Sequence, residues 1–207
     1  MIDYIRAIEL QLRLSQKVVT KDCTNKIRKV CGVDVSYNDE TARASAVVMD
    51  AITLDVLEHA TLETKVKAPY IPGFLMLRES EPILSVLKSL KNNFDLLIVD
   101  GNGQLHPRKC GIASYLGIIL NKPTIGVAKS LLCGNIKNNS IELNGKILGK
   151  VIENKKGKKI YVSVGNKISL RNAVEIIKSL TKEGQWQPEP IIIADKCSKR
   201  EFHHKIS

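Results

Sequence analysis

Aromatic side chains are scarce: three Phe, five Tyr and one Trp in 207 residues, so one that falls in a loop calls for a reason other than core packing. Cysteines are few and unpaired in pattern. The five, at 23, 31, 110, 133 and 197, contain no CxxC pair and are odd in number. That excludes a disulfide framework and a zinc ribbon and leaves reduced, mostly buried thiols. No apolar run approaches the ~18 residues of a membrane span. The opening MIDYIRAIELQLR is charged throughout, unlike a secretory leader. Internal repeats and low-complexity linkers are also lacking. The expectation is a cytoplasmic chain with no membrane contact, residues 1–207 forming one domain with one well-buried core.

Positive charge is in excess. Thirty-two Lys and Arg against 21 Asp and Glu give a net charge of +11, which points to a polyanionic partner, nucleic acid ahead of an acidic membrane. The turn KKGKK (155–159) and the Lys-rich carboxyl-terminal third are where phosphates would be tracked.

The patterning predicts an α/β fold. Residues 2–18 set Ile5, Ile8 and Leu12 on one face of an amphipathic helix. Three Val-rich runs, 29–38, 44–51 and 53–66, form an antiparallel meander. APYIPGF (68–74) interrupts with two prolines and a glycine, and 74–92 is helical, with Pro82 placed in the first turn of a new helix. The run LLIVD (96–100) is a buried strand, followed by a helix at 111–121 and a second buried strand, PTIGVAK (123–129). That order predicts a parallel pair joined by a right-handed crossover. Residues 141–164 supply two or three short strands, 169–180 a helix capped by Ser169, and 188–204 a last helix. The sum is a mixed sheet, an antiparallel meander followed by parallel strands, flanked by helices.

Two acids stand out. Asp100 closes the strand LLIVD before the glycines 101 and 103, at the strand end where α/β sheets gather ligands; read alone, it could equally cap a turn. Asp34 sits mid-strand among Cys31, Val33 and Val35, where an ionised carboxylate is costly without a cation. Either a buried Arg or Lys partners it, or it shares a divalent metal with Asp100 on an adjacent strand. Hard oxygen donors of this kind suit Mg²⁺, and Glu79 is a candidate third ligand.

Four segments in order, GVDVSY (32–37), PYIPGFLMLRE (69–79), VDGNGQLHPR (99–108) and IGVAKSLL (125–132), resemble the motifs of the endonuclease V family, and WQPEPIIIAD (186–195) resembles its carboxyl-terminal motif. The resemblance implies a ribonuclease H-like fold and a monomeric DNA repair endonuclease. Such an enzyme hydrolyses the second phosphodiester bond 3′ to a deaminated purine, chiefly deoxyinosine, leaving 3′-hydroxyl and 5′-phosphate ends. It implies Mg²⁺, with Mn²⁺ able to substitute, held by Asp34, Asp100, Glu79 and Asp195. It gives Asp34, Glu79, Asp100 and Lys129 the catalytic roles, with His106 near the scissile phosphate. It makes Tyr70, Ile71, Pro72 and Gly73 a wedge that enters the base stack, and Gly101, Gly103 and Leu132 the lesion pocket. The implied partner is double- or single-stranded DNA carrying deoxyinosine. The alternatives are a nuclease of the same fold acting on inosine-containing RNA or branched DNA, and a module that binds deaminated bases without cutting.

Overall fold

The structure, a computed structural model, describes residues 3–24 and 26–199. Among these residues, nine strands make one sheet in the order β3-β2-β1-β4-β5-β9-β8-β7-β6. The meander is β1 (Lys29–Asn38), β2 (Thr41–Asp50) and β3 (Val56–Lys65), antiparallel as expected. Next come β4 (Leu96–Asp100), parallel to β1, and β5 (Thr124–Ala128), parallel to β4. Beyond β5 the sheet returns to antiparallel pairing through β9 (Lys159–Asn166), β8 (Lys146–Glu153), β7 (Ser140–Leu143) and the short edge strand β6 (Asn135–Lys137), which lies outside the range read as strand.

Both faces of the sheet are covered, as parallel pairs require. One face carries α1 (Tyr4–Ser15), α2 (Leu75–Ser89) and α3 (Ile112–Ile119) over Cys31, Val33, Leu97 and Val99. The other carries α4 (Leu170–Ser179), capped by Ser169, and α5 (Glu189–Lys199) over Val30, Leu96, Ile98, Ile125 and Val127. The part of the expected last helix beyond residue 199 lies outside the described residues. No described helix is long and apolar enough to cross a membrane.

Two expectations need correcting. Helix α1 does not pack through Ile5, Ile8 and Leu12: Ile5 is 71% and Leu12 49% exposed, and Ala7, Gln11 and Leu14 point inward. The turn of the helix is fixed by Gln11, whose amide donates to the carbonyls of Cys110 (2.8 Å) and Gly73 (3.1 Å). Buried polar satisfaction here outweighs an apolar stripe. Likewise Pro82 lies inside α2 rather than in a first turn. The helix runs through it because Met76 before it and Ile83, Val86 and Leu87 after it all bury against the same sheet face.

Helix α5 sits close because β1 carries Gly32. A Cβ there would overlap the backbone carbonyl of Pro190. Gly32→Ala is therefore expected to push α5 off the sheet and cost about 1–3 kcal/mol, as overpacking does, read as a lowered urea midpoint. An unchanged midpoint would contradict the close packing described.

Candidate active site

Strand periodicity builds the site. Side chains alternate across a sheet, so Asp34, Asp100 and Lys129 share the parity of Val30, Ile98 and Val127 and emerge on the α5 face. Register then brings them together. Val33 pairs with Val99 and Asp100 with Val127, so Asp34 and Asp100 are neighbours and Lys129 follows at the same sheet end. Asp195 arrives from α5, and Glu79 reaches over the sheet end from α2 on the opposite face. These five side chains line one cleft of about 630 Å³, with Ser36, Tyr37, Tyr70 and Lys199 among the other walls.

Lys129 Nζ lies 2.6 Å from Asp100 Oδ2 and 3.9 Å from Asp195 Oδ1, and Lys199 Nζ lies 2.6 Å from Asp195 Oδ1. Asp34 is only 8% exposed, and its Oδ2 accepts a hydrogen bond from the Ser198 hydroxyl at 3.0 Å. Burial, then the charges of Asp100 and Asp195, push the Asp34 carboxyl up to about 6. Burial likewise pushes Glu79 up to about 8, against the opposing hydrogen bond from Tyr37 Oη at 3.0 Å. The Arg78 guanidinium lies 4.0 Å over the Tyr37 ring. Burial of Lys129 would lower its pKa, yet Asp100 and its neighbours outweigh that and the ammonium is held above its ordinary range.

The donor chemistry fits a divalent cation. Asp34, Glu79, Asp100 and Asp195 offer hard carboxylate oxygens alone, and the raised carboxyls of Asp34 and Glu79 mark acids that are buried and crowded by one another's charge. As the side chains stand, among the described residues no three acids, histidines or cysteines converge as an ion-holding set, and Lys129 and Lys199 supply the adjacent positive charge.

A second recess, about 80 Å³, adjoins the cleft, and Tyr70 and Leu75 line both. Tyr70 is 65% exposed, on the ridge between them. Pro72, Gly73, Asn102, Ser130 and Leu132 also line the recess, and Asn102 Oδ1 is buried with no partner among the described residues. Of the residues assigned to a lesion pocket, Leu132 lines the recess, whereas Gly101 and Gly103 stand behind its wall. A Cβ on Gly103 would overlap the Val164 carbonyl, and one on Gly101 would meet Ile112 Cγ2 at 2.6 Å. Bulk at 103 would thus disturb the packing of this loop on β9 before it reached any ligand.

His106 belongs to the recess and not to the acid cleft. It is 2% exposed; its Nε2 donates to the Gly73 carbonyl at 3.0 Å while Nδ1 accepts from the Arg108 backbone N–H at 3.2 Å. The same carbonyl accepts from Arg108 Nη2 (2.7 Å) and Gln11 Nε2 (3.1 Å). Gly73, at φ +82°, is thereby clamped by three donors. Arg108 also lies 4.4 Å over the Phe74 ring. Motif reading gave no role to Tyr37 and Arg108, which close two of the motifs, and missed Gln11 and Ser198 altogether. A glutamine in the middle of a helix's apolar face was the available signal for Gln11.

Burial, then Arg108, push His106 down to about 4, so the ring is neutral near pH 7. The unfolded chain takes up this proton near pH 6.5, so the contribution to stability is full above that and lost as pH falls through about 4. Wild type should lose on the order of 3 kcal/mol relative to His106→Gln between pH 7 and pH 4, measured by urea denaturation at both. A pH-independent difference would contradict the buried neutral imidazole.

The family model for Endonuclease V matches residues 12–196. Endonuclease V of Pyrococcus abyssi is 45% identical over 191 residues, 92% of this chain and 89% of that protein. That of Thermofilum pendens is 39% identical over 91% of this chain and 84% of its own. Among solved structures, endonuclease V of Streptomyces avermitilis superposes with a TM-score of 0.91 at 31% identity, covering 100% of this chain and 96% of that one. The Ciona intestinalis enzyme, solved in complex with a 24mer DNA containing an inosine followed by a ribo-adenosine, superposes at 0.86 with 33% identity over 97% and 98% of the two chains. With the acid cleft and its lysine already in place on the sheet, these matches show that the chain belongs to the endonuclease V family.

Proposed function

We propose that the chain, acting as one catalytic unit, cleaves DNA at deaminated purines, chiefly deoxyinosine. The cut falls at the second phosphodiester bond on the 3′ side and leaves a 3′-hydroxyl and a 5′-phosphate. The observation that carries this is the juxtaposition of two sites across one ridge: the carboxylate cleft with Lys129, and the recess behind Tyr70. The inosine-bearing DNA on the Ciona intestinalis relative supports the substrate class.

Asp34, Glu79, Asp100 and Asp195 would hold Mg²⁺, which when bound polarises the phosphate and lowers the pKa of a water. The protein's own groups do the rest. Lys129, kept charged and 40% exposed, can pair with a non-bridging phosphate oxygen and orient the attacking water. Ser198 and Tyr37 hold Asp34 and Glu79 in place. Tyr70 enters the base stack, backed by Ile71, Pro72 and the clamped Gly73, and the displaced base turns into the recess. Hypoxanthine carries an N1–H donor where adenine has an acceptor, and the unpartnered Asn102 Oδ1 can receive it. His106 acts by positioning Gly73, at one remove from the phosphate.

The test is a nicking assay on inosine DNA, inosine RNA and a four-way junction, with and without Mg²⁺, mapped to one nucleotide. The inosine DNA should be nicked one nucleotide beyond the lesion's own 3′ phosphate, only with metal, and Lys129→Met should lower the single-turnover rate roughly 10²–10⁴-fold. Preference for the junction, or nicking in the presence of chelator, would contradict the reading.

A further inference from the structure

The chain's one tryptophan lines neither the acid cleft nor the recess behind Tyr70. Trp186 lines a separate recess of about 380 Å³, between the β8–β9 turn and the loop joining α4 to α5. Ile152, Thr181, Gly184 and Gln185 share its wall with Trp186, and Gln185 Oε1 is buried with no partner among the described residues. Lysines dominate the rim. Glu153 and Glu183, the acids on that rim, are already paired with Lys159 (3.5 Å) and Lys155 (3.2 Å). Lys158 lies 5.3 Å over the Trp186 ring. Lys156 and Lys178 are exposed on the rim and, among the described residues, make no ion pair. An apolar, aromatic floor with unpaired ammonium groups above it matches a ligand with a flat ring at one end and a phosphate at the other.

The recess is also within reach of the cleft. Tyr161 on β9 pairs with Ala128, the residue before Lys129, and Glu153 on β8 pairs with Lys159. Two strand spacings and two residues of rise put the β8–β9 turn roughly 12 Å from the lysine end of β5. That is on the order of four nucleotide rises. The turn stands at the cleft end of the sheet, because β9 runs antiparallel to β5 and begins where β5 ends.

We propose that this recess is a second nucleic-acid contact, taking an unpaired nucleotide of the strand that leaves the cleft, its phosphates on Lys156 and Lys178 and its base against the Ile152–Trp186 wall. The proposal rests on the nuclease reading above and adds an anchor remote from the cut. Such an anchor favours a frayed or single-stranded flank over a continuous duplex, since only a free base can enter.

Trp186, being alone in the chain, reports on the recess by its own emission. The full-length protein is titrated in Mg²⁺ with a fluorescein-labelled, inosine-free single-stranded 20-mer, following tryptophan emission and probe anisotropy together, at several salt concentrations. Emission should be quenched along the anisotropy curve. In the double variant Lys156→Gln/Lys178→Gln, the slope of log K against log salt should become shallower by about 1.4, two contacts at ~0.7 each for a single strand. Binding seen by anisotropy with unchanged emission, or with an unchanged slope in the variant, overturns the recess while leaving the nuclease reading intact. An equal emission response to oligoglutamate overturns it in favour of an acidic protein segment. No binding of the 20-mer by anisotropy overturns this proposal, and absence of inosine nicking, measured separately, is what would remove the reading beneath it.

Discussion

Repulsion among carboxylates gathered at one end of an apolar sheet is the constraint to which the rest of the molecule is fitted. Asp34 is enclosed in β1 beside Asp100 on β4, with Asp195 and Glu79 brought in from helices on opposite faces. Nothing in the hydrophobic core calls for them, and the raised carboxyls of Asp34 and Glu79 show what their enclosure costs. The fold contains that cost with a few donors. Lys129 bridges toward Asp100 and Asp195, Ser198 bonds to Asp34, Tyr37 to Glu79, and Lys199 to Asp195. A cluster held at this expense is the mark of a site whose charge is meant to be balanced by a ligand.

The neighbouring recess depends on the same economy of buried polar groups. Gln11, His106 and Arg108 come from three parts of the chain and converge on one carbonyl, that of Gly73. Tyr4 stacks edge-on against Phe74 at 5.3 Å, tying the amino-terminal helix to the same loop. Tyr70 is left exposed three residues before a carbonyl held by three donors, a geometry that suits the base-stack entry proposed for it. Helix α1, distant in sequence from every motif acid, thereby becomes part of the scaffold of the recess.

The sheet was legible in the sequence because its signals are short-range. The Val-rich run 29–38, the apolar run 96–100 and the apolar run before Lys129 announced strands, and the order of the last two implied their parallel pairing. The parallel pairing of β1 with β4, which sets Asp34 beside Asp100, belongs to one of the two alternatives the sequence left open. What escaped depended on contacts between distant residues. The inward face of α1 is chosen by two backbone carbonyls, at 73 and 110, that periodicity cannot see. Helix α2 survives Pro82 because sheet packing on both sides holds it. The edge strand β6 is three exposed residues with no pattern to read. Gly103 looked free to approach a ligand, yet its missing side chain serves the contact with Val164. The acids, the lysine and Tyr70 were visible as motif residues; Ser198 lies outside every motif, and Tyr37 stands inside one without a role, since a hydroxyl gives no sign of which carboxylate it will meet.

The central claim is that the four acids exist to hold a divalent cation beside Lys129. Anomalous diffraction from crystals of the full chain soaked in Mn²⁺ tests it most directly. The account predicts a strong manganese peak within ~2.3 Å of carboxylate oxygens of Asp34 and Asp100, lost in Asp34→Asn. Ordered side chains at those positions with no peak among them, or manganese bound only elsewhere on the surface, would contradict it.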